Sequence, residues 1–215
     1  MNLNPKLWFR EIEDWWFDRS RHVDTSGLAP KPDPSRVVGE VRDSNIYGPV
    51  RAANAHAAIR DLPIRDFSEY TFIDIGSGKG RVLFIAAEYP FRKVLGVEYS
   101  NEMQRAALEN VSRYKHASQR CFAIESLAAN AAEYTFPDGN LVLYLFNPFG
   151  PEIMGRMLAN LDLSLTQKPR HIIIVMLWPE QAHLVAEMAG VRTYRQNRRY
   201  HIYELGPAPS VQRAP

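Results

Sequence analysis

The stretch from Phe72 to Ser100, FIDIGSGKGRVLFIAAEYPFRKVLGVEYS, concentrates residue types that could do chemistry. Asp74 precedes a turn of Gly76-Ser77-Gly78-Lys79-Gly80, and a second acid, Glu98, lies further on. Glycines at 76, 78 and 80 remove side chains where the backbone must turn sharply and where a ligand could lie against it. A helix starting near Lys79 points its unpaired N–H groups at the turn. A carboxylate at Glu98 can accept hydrogen bonds from both hydroxyls of a ribose. A second constellation, Asn147-Pro148-Phe149-Gly150-Pro151, joins a carboxamide to an aromatic ring on a proline-stiffened loop. Tyr47, in the turn Asn45-Ile46-Tyr47-Gly48-Pro49, adds a ring and a hydroxyl.

Three nucleotide chemistries compete for the glycine turn. A phosphate-cradling loop needs GxxxxGK[ST], but Gly80 follows Lys79 and the spacing fails. A dinucleotide fingerprint needs GxGxxG; Gly76 and Gly78 fit, and Arg81 stands at the third glycine. The remaining pattern, GxGxG after a strand ending in an aspartate, resembles motif I of class I S-adenosylmethionine-dependent methyltransferases. The resemblance spans residues 45 to 205. It implies that Asp74 and the loop Gly76, Ser77, Gly78 and Gly80 hold the methionine part of S-adenosylmethionine. It implies that Glu98 holds the ribose and that Asn130 with Ala131 holds the adenine, with Glu125-Ser126 as the competing adenine candidate. Asn147-Pro148-Phe149 is similar to the Asn/Asp-Pro-Pro-Tyr/Phe motif of amino-group methyltransferases, with one proline in place of two. There the carboxamide accepts hydrogen bonds from a substrate amine and the ring packs on the acceptor. Asn147, Pro148 and Phe149 are thus expected at the acceptor, with Tyr47 closing the site. Tyr47-Gly48, the glycine loop, Glu98 and the loop at 147–151 also resemble, in scattered pieces, the cofactor half of seven-stranded histone-lysine methyltransferases. The chain has no long basic extension of the nucleosome-binding kind.

Elements must position these residues. Apolar runs at Phe72–Ile75, Val94–Val97, Leu141–Phe146 and His171–Trp178 read as buried parallel strands, and Gln119–Ala128 should contain another. Helical patterns lie between them, one starting at the N-cap Ser100 and another covering Glu152–Leu165. A last helix starts at Pro179 and ends near Gly190. Val191–Gln196 and Tyr200–Leu205 form a hairpin around Asn197-Arg198-Arg199. The fold expected is a three-layer α/β/α sandwich, with a Rossmann-like, mostly parallel seven-stranded sheet and a C-terminal antiparallel hairpin. That ending separates it from dinucleotide dehydrogenases.

Residues 5–19 predict an amphipathic helix with Trp8, Ile12, Trp15 and Trp16 on one side, expected mainly as core, with a lid or a partner-docking helix as the alternative. Gly27–Pro34 is a proline-rich linker. Val37–Val41 fits a short edge strand or a loop, and a helix follows from about Val50 to Arg60, expected against the first strand. The domain boundaries expected are 1–44 for the N-terminal helix and linker, 45–205 for the cofactor-binding domain, and 206–215 for a disordered tail.

With 215 residues, 46% of them hydrophobic, the chain can bury a substantial core. A net charge of +2 is too balanced to argue for nucleic acid or a membrane surface, and Arg192, Arg195, Arg198 and Arg199 read as a solvated hairpin. Its single cysteine, Cys121, lies in an apolar, strand-like run; it excludes an internal disulfide and suits a reducing cytoplasm. The six histidines lack metal-site spacing, so no metal is expected. No apolar run reaches the length of a membrane span, and the N-terminus is unlike a signal peptide. The methyl acceptor is open: an amine on a protein side chain or a small molecule leads. Rival readings are a non-catalytic module that keeps this fold and a NAD-dependent oxidoreductase.

Overall fold

The apolar runs at Phe72, Val94, Leu141 and Ile172 become neighbouring strands of one sheet. A computed structural model describes residues 5–28, 33–38 and 47–208. The strands are β1 (Tyr70–Ile75), β2 (Lys93–Glu98), β3 (Ile124–Ala128), β4 (Asn140–Phe146), β5 (Ile172–Leu177), β6 (Arg192–Gln196) and β7 (Tyr200–Leu205). The helices are α1 (Pro5–Arg21), α2 (Ala52–Arg60), α3 (Arg81–Ala86), α4 (Asn101–Arg113), α5 (Pro151–Gln167) and α6 (Ala182–Ala186).

The sheet order is β3-β2-β1-β4-β5-β7-β6. β1 to β5 pair in parallel, and β7 inserts antiparallel between β5 and β6. Order reverses between β1 and β4, and in open α/β sheets the crevice beyond that switch point takes ligands. The loops carrying Gly76 and Asn147 both leave the sheet there. Every residue of β1 and β5 is buried, so their sequences lack polar alternation. β4 serves both faces: Leu141, Leu143 and Leu145 pack beside Met157 and Tyr203, while Val142 and Tyr144 pack beside Phe72 and Phe84.

Several expectations are corrected. β3 lies within 119–128 as expected, but Cys121 is buried in the loop before it, not in a strand. α3 starts at Arg81, two residues after Lys79, and α6 is short. α2 packs mainly against α3 and shares that side's core through Ala55, Ala58 and Ile59. Val37 makes a single bridge to Ser100; residues 39–41 and the tail from 209 onward lie outside the described residues.

α1 overturns the expectation of core tryptophans. Trp8, Ile12, Trp15 and Trp16 are exposed, and Phe17 on the opposite side is buried. The helix grips the domain by its charged side. Arg81, buried at the start of α3, donates to Asp14, to Thr25 Oγ1 at 2.8 Å, to Ser26 Oγ at 3.1 Å and to the Val50 carbonyl at 3.3 Å. Asp18 lies 3.7 Å from the same guanidinium and accepts the backbone N–H groups of Thr25 and Ser26. Phe17 stacks under the guanidinium at 4.6 Å. Asn110 of α4 bonds the backbone of Asp24 in both directions and donates to the Lys79 carbonyl. The chain at 24–26 is therefore tied to the glycine turn from both sides.

Removing a buried ion-pair partner leaves the other charges uncompensated. Arg81→Met should lower the unfolding free energy by about 3 kcal/mol and speed amide exchange throughout α1. Urea denaturation with exchange mass spectrometry checks this; a loss near zero would show that α1 docks by other means.

Candidate active site at the sheet switch point

A cleft of about 560 Å3 opens beyond the carboxyl ends of β1, β2 and β4, within the range of small-molecule and cofactor sites. Its floor is built by Glu98. This carboxylate, buried at the tip of β2, accepts the Gly78 N–H at 2.8 Å through one oxygen and the Ser100 N–H at 2.8 Å through the other. One side chain thereby joins the glycine loop to the start of α4, where Ser100 caps the helix by accepting the Met103 N–H. Asp74 lies on the same floor, fully buried.

Burial pushes the Asp74 carboxyl well above its ordinary range, and the neighbouring Glu98 charge adds to the shift. Burial also raises Glu98, against the lowering effect of the backbone N–H groups of Ser100, Gly78 and Tyr99. Two buried acids thus face one another where a cation would relieve both. The arginines that line the cleft are engaged elsewhere: Arg81 turns its guanidinium toward Asp14 and Asp18, and Arg10 donates to the Pro49 carbonyl. α3 is also too short to present a strong helix-terminal field.

The glycines allow two close approaches. Gly76 has φ +79°, and a Cβ there would lie 2.6 Å from Cβ of Pro148. Gly78 has φ +53°, and a Cβ there would lie 2.1 Å from the Tyr47 ring. Tyr47 is pinned over the loop, its hydroxyl donating to the Thr25 carbonyl at 2.7 Å, and burial raises its phenol pKa. Gly80 does not line the cleft. Its φ of +90° forms the turn into α3.

Ser77, Asn130 and Ala131 line the cleft with the residues above. Asn130 spends its carboxamide oxygen on the Ala132 N–H at 3.1 Å, capping a short turn. Glu125 stays outside, paired with Lys93 at 2.8 Å. Asn147 and Pro148 stand at the far wall, while Phe149 is largely packed into the core beside Met154. Asn147 has φ +43°, a strained conformation that asparagine tolerates better than most residues. The sequence reading passed over Trp178, at the tip of β5. It lines the same cleft, is 53% exposed and has φ +50°. Its signal was available: like Asn147, it ends an apolar strand and precedes a proline. Arg81 was read only as a misfit to the dinucleotide fingerprint; its partners lie 31 to 67 residues away in sequence. Among the described residues, no group of three or more His, Cys, Asp or Glu could hold a metal ion, and no helix is long and apolar enough to cross a membrane.

Residues 73–147, from β1 to the tip of β4, match the profile of a family described as a methyltransferase domain. Over those residues the chain is similar to a methyltransferase domain, and its sheet order with the C-terminal hairpin is that of the class I methyltransferase fold. The same fold occurs in a putative RNA methyltransferase from Pyrococcus horikoshii, at 12% identity and a TM-score of 0.57, covering 92% of this chain and 98% of that one. It also occurs in a predicted N6-adenine-specific DNA methylase from Listeria monocytogenes, at 14% identity and a TM-score of 0.54 over 74% of this chain. A possible methylase from Clostridium difficile aligns at 15% identity and a TM-score of 0.52 over 76% of this chain. The chain spans about half the length of those last two, 52% and 54%. No curated protein matches it by sequence. The cofactor of class I methyltransferase domains is S-adenosylmethionine, and the cleft fits it: the floor sets two buried acids, Asp74 and Glu98, where the sulfonium and ammonium charges of the cofactor would favour their ionised forms.

Two predictions follow from this geometry. Gly78→Ala should impair cofactor binding because the strained backbone and the Tyr47 ring must both give way, whereas Gly155→Ala, in open space on α5, should be neutral or stabilising. Melting temperatures with and without S-adenosylhomocysteine compare the two variants. The folded domain also holds carboxyl protons on Asp74 and Glu98 after the unfolded chain has lost them. Ligand-free stability should therefore fall as pH rises from about 4 toward the raised folded values, and Asp74→Asn should flatten that fall. Urea midpoints across pH 4 to 8 check the slope; one that Asp74→Asn leaves unchanged would assign it elsewhere.

Proposed function

We propose that the chain transfers a methyl group from S-adenosylmethionine to an amine nitrogen, on a protein side chain or a small molecule. The observation that carries the cofactor part of this reading is the cleft floor, where Asp74 and Glu98 meet the ligand as acids while the lining arginines, Arg10 and Arg81, are engaged by the Pro49 carbonyl, Asp14 and Asp18. A dinucleotide would set its pyrophosphate on the glycine turn, beside the buried Asp74 and with only the short α3 to offset its charge.

Glu98 would accept the ribose hydroxyls on lone pairs left over from its two backbone bonds. Asp74, with the backbone at Gly76, Ser77 and Gly78, would face the methionine end. Asn130 and Ala131 would border the adenine. Tyr47, held by Thr25, keeps water from the loop side. Asn147 and Pro148 face the acceptor end, with the Phe149 ring packing the loop from beneath. The Asn147 carboxamide oxygen would accept an N–H from the incoming amine and turn its lone pair toward the methyl group. Trp178 adds an exposed ring on the same side. The cofactor supplies an activated sulfonium methyl, so orientation and exclusion of water can provide most of the rate without a dedicated base.

The roles separate experimentally. Glu98→Ala should weaken S-adenosylhomocysteine binding roughly 10–100-fold, as loss of charge-assisted hydrogen bonds does. Asn147→Gly relieves the backbone strain while removing the carboxamide. It should keep cofactor affinity within about threefold and cut methyl transfer about 100-fold, as loss of one orienting group does. Equilibrium dialysis and transfer of tritiated methyl groups to a panel of amines, proteins and nucleic acids read the two effects. The label should survive mild base, as N-methyl groups do; label released as methanol would mean a carboxylate acceptor and overturn the amine reading.

A further inference from the structure

We propose that the aromatic face of α1 is the contact between two copies of this chain. This goes beyond the methyl-transfer reading and does not depend on it. At about 100° per residue, Trp8, Phe9, Ile12, Trp15, Trp16 and Arg19 share one arc of the helix. Arg10, Asp14, Phe17, Asp18 and Arg21 share the opposite arc. The opposite arc is the one that meets the domain: Asp14 and Asp18 bind Arg81, Arg21 binds Glu88, and Arg10 donates to the Pro49 carbonyl. The helix is thus docked by its charged side, and its aromatic side is turned outward.

Trp8, Phe9, Trp15 and Trp16 are 52%, 64%, 60% and 63% exposed. At ~150–250 Å2 for each aromatic side chain, they leave roughly 500 Å2 of aromatic surface uncovered on each copy. Two such faces together reach about 1,000 Å2, the level a specific interface must clear. The face is also self-complementary. In an antiparallel pair with its two-fold axis beside Ile12 and Trp15, Ile12 of one copy meets Trp15 of the other. Arg19 then lies over Trp8 of the other copy, within reach of Glu11 one turn along, pairing a cation with a ring and with an acid. A lipid surface fits less well. Helices that lie on membranes keep a free, basic polar face; here that face is spent on the domain, and Glu11 balances Arg19 beside the apolar arc.

Sedimentation velocity at micromolar concentration tests this on the full chain. The wild type should sediment at twice the monomer mass, and Trp15→Glu should halve it while S-adenosylhomocysteine binding persists. Should Trp15→Glu fail to fold, dilution of the wild type gives a second readout. Three of the four tryptophans lie on α1, so emission should shift to the red as the dimer dissociates. A wild type that stays monomeric up to about 100 μM overturns the proposal, as does flotation of a monomer with anionic vesicles. A dimer that persists in folded Trp15→Glu, or dissociates without an emission shift, places the contact elsewhere and overturns it too.

Discussion

The site rests on one buried carboxylate that bonds two backbone N–H groups. Glu98 closes a bridge from the tip of β2 to Gly78 in one direction and to Ser100 in the other. Desolvation makes this costly, and the two N–H bonds offset part of the cost. The remaining lone pairs face the cleft, beside a second buried acid, Asp74. Such a floor is poor ground for phosphates and good ground for a ligand with hydroxyls and positive charge. The domain thereby holds a destabilised constellation that a bound cofactor would relieve, and the sheet around it, buried along β1 and β5, keeps it in place.

A second polar centre supports the first. Arg81 begins α3 one residue beyond the glycine turn and gathers Asp14, Thr25, Ser26 and the Val50 carbonyl. Through these contacts the N-terminal segment is built into the wall of the glycine loop. Tyr47 closes the same circuit, with its ring over Gly78 and its hydroxyl on the Thr25 carbonyl. The geometry of the glycine loop therefore depends on residues from α1 to α4, a span that no local motif contains.

Much of the fold was legible because burial on both faces leaves an unmistakable trace. β1, β4 and β5 stand as apolar runs, and the hairpin of β6 and β7 was marked by its turn. β3 was harder to delimit: of its five residues only Ser126 is buried, so no continuous apolar run marks its start. The lining of the cleft was legible where one short stretch carries it, as at Gly76, Gly78 and Glu98. It was not legible where partners are distant. Arg81 seemed a defect in a glycine pattern because Asp14 and Asp18 lie far upstream. The α1 tryptophans seemed a core stripe because apolar residues on one helix face usually point inward. Here the buried requirement of Arg81 for acids turns the other face inward instead.

The most direct measurement is a calorimetric titration of the full chain with S-adenosylmethionine, S-adenosylhomocysteine and NAD in parallel. The account predicts micromolar binding of the first two and none of NAD, because the carboxylate floor favours a cation over a pyrophosphate. Binding of NAD alone would contradict the reading of that floor, and binding of none would leave the fold without the chemistry assigned to it.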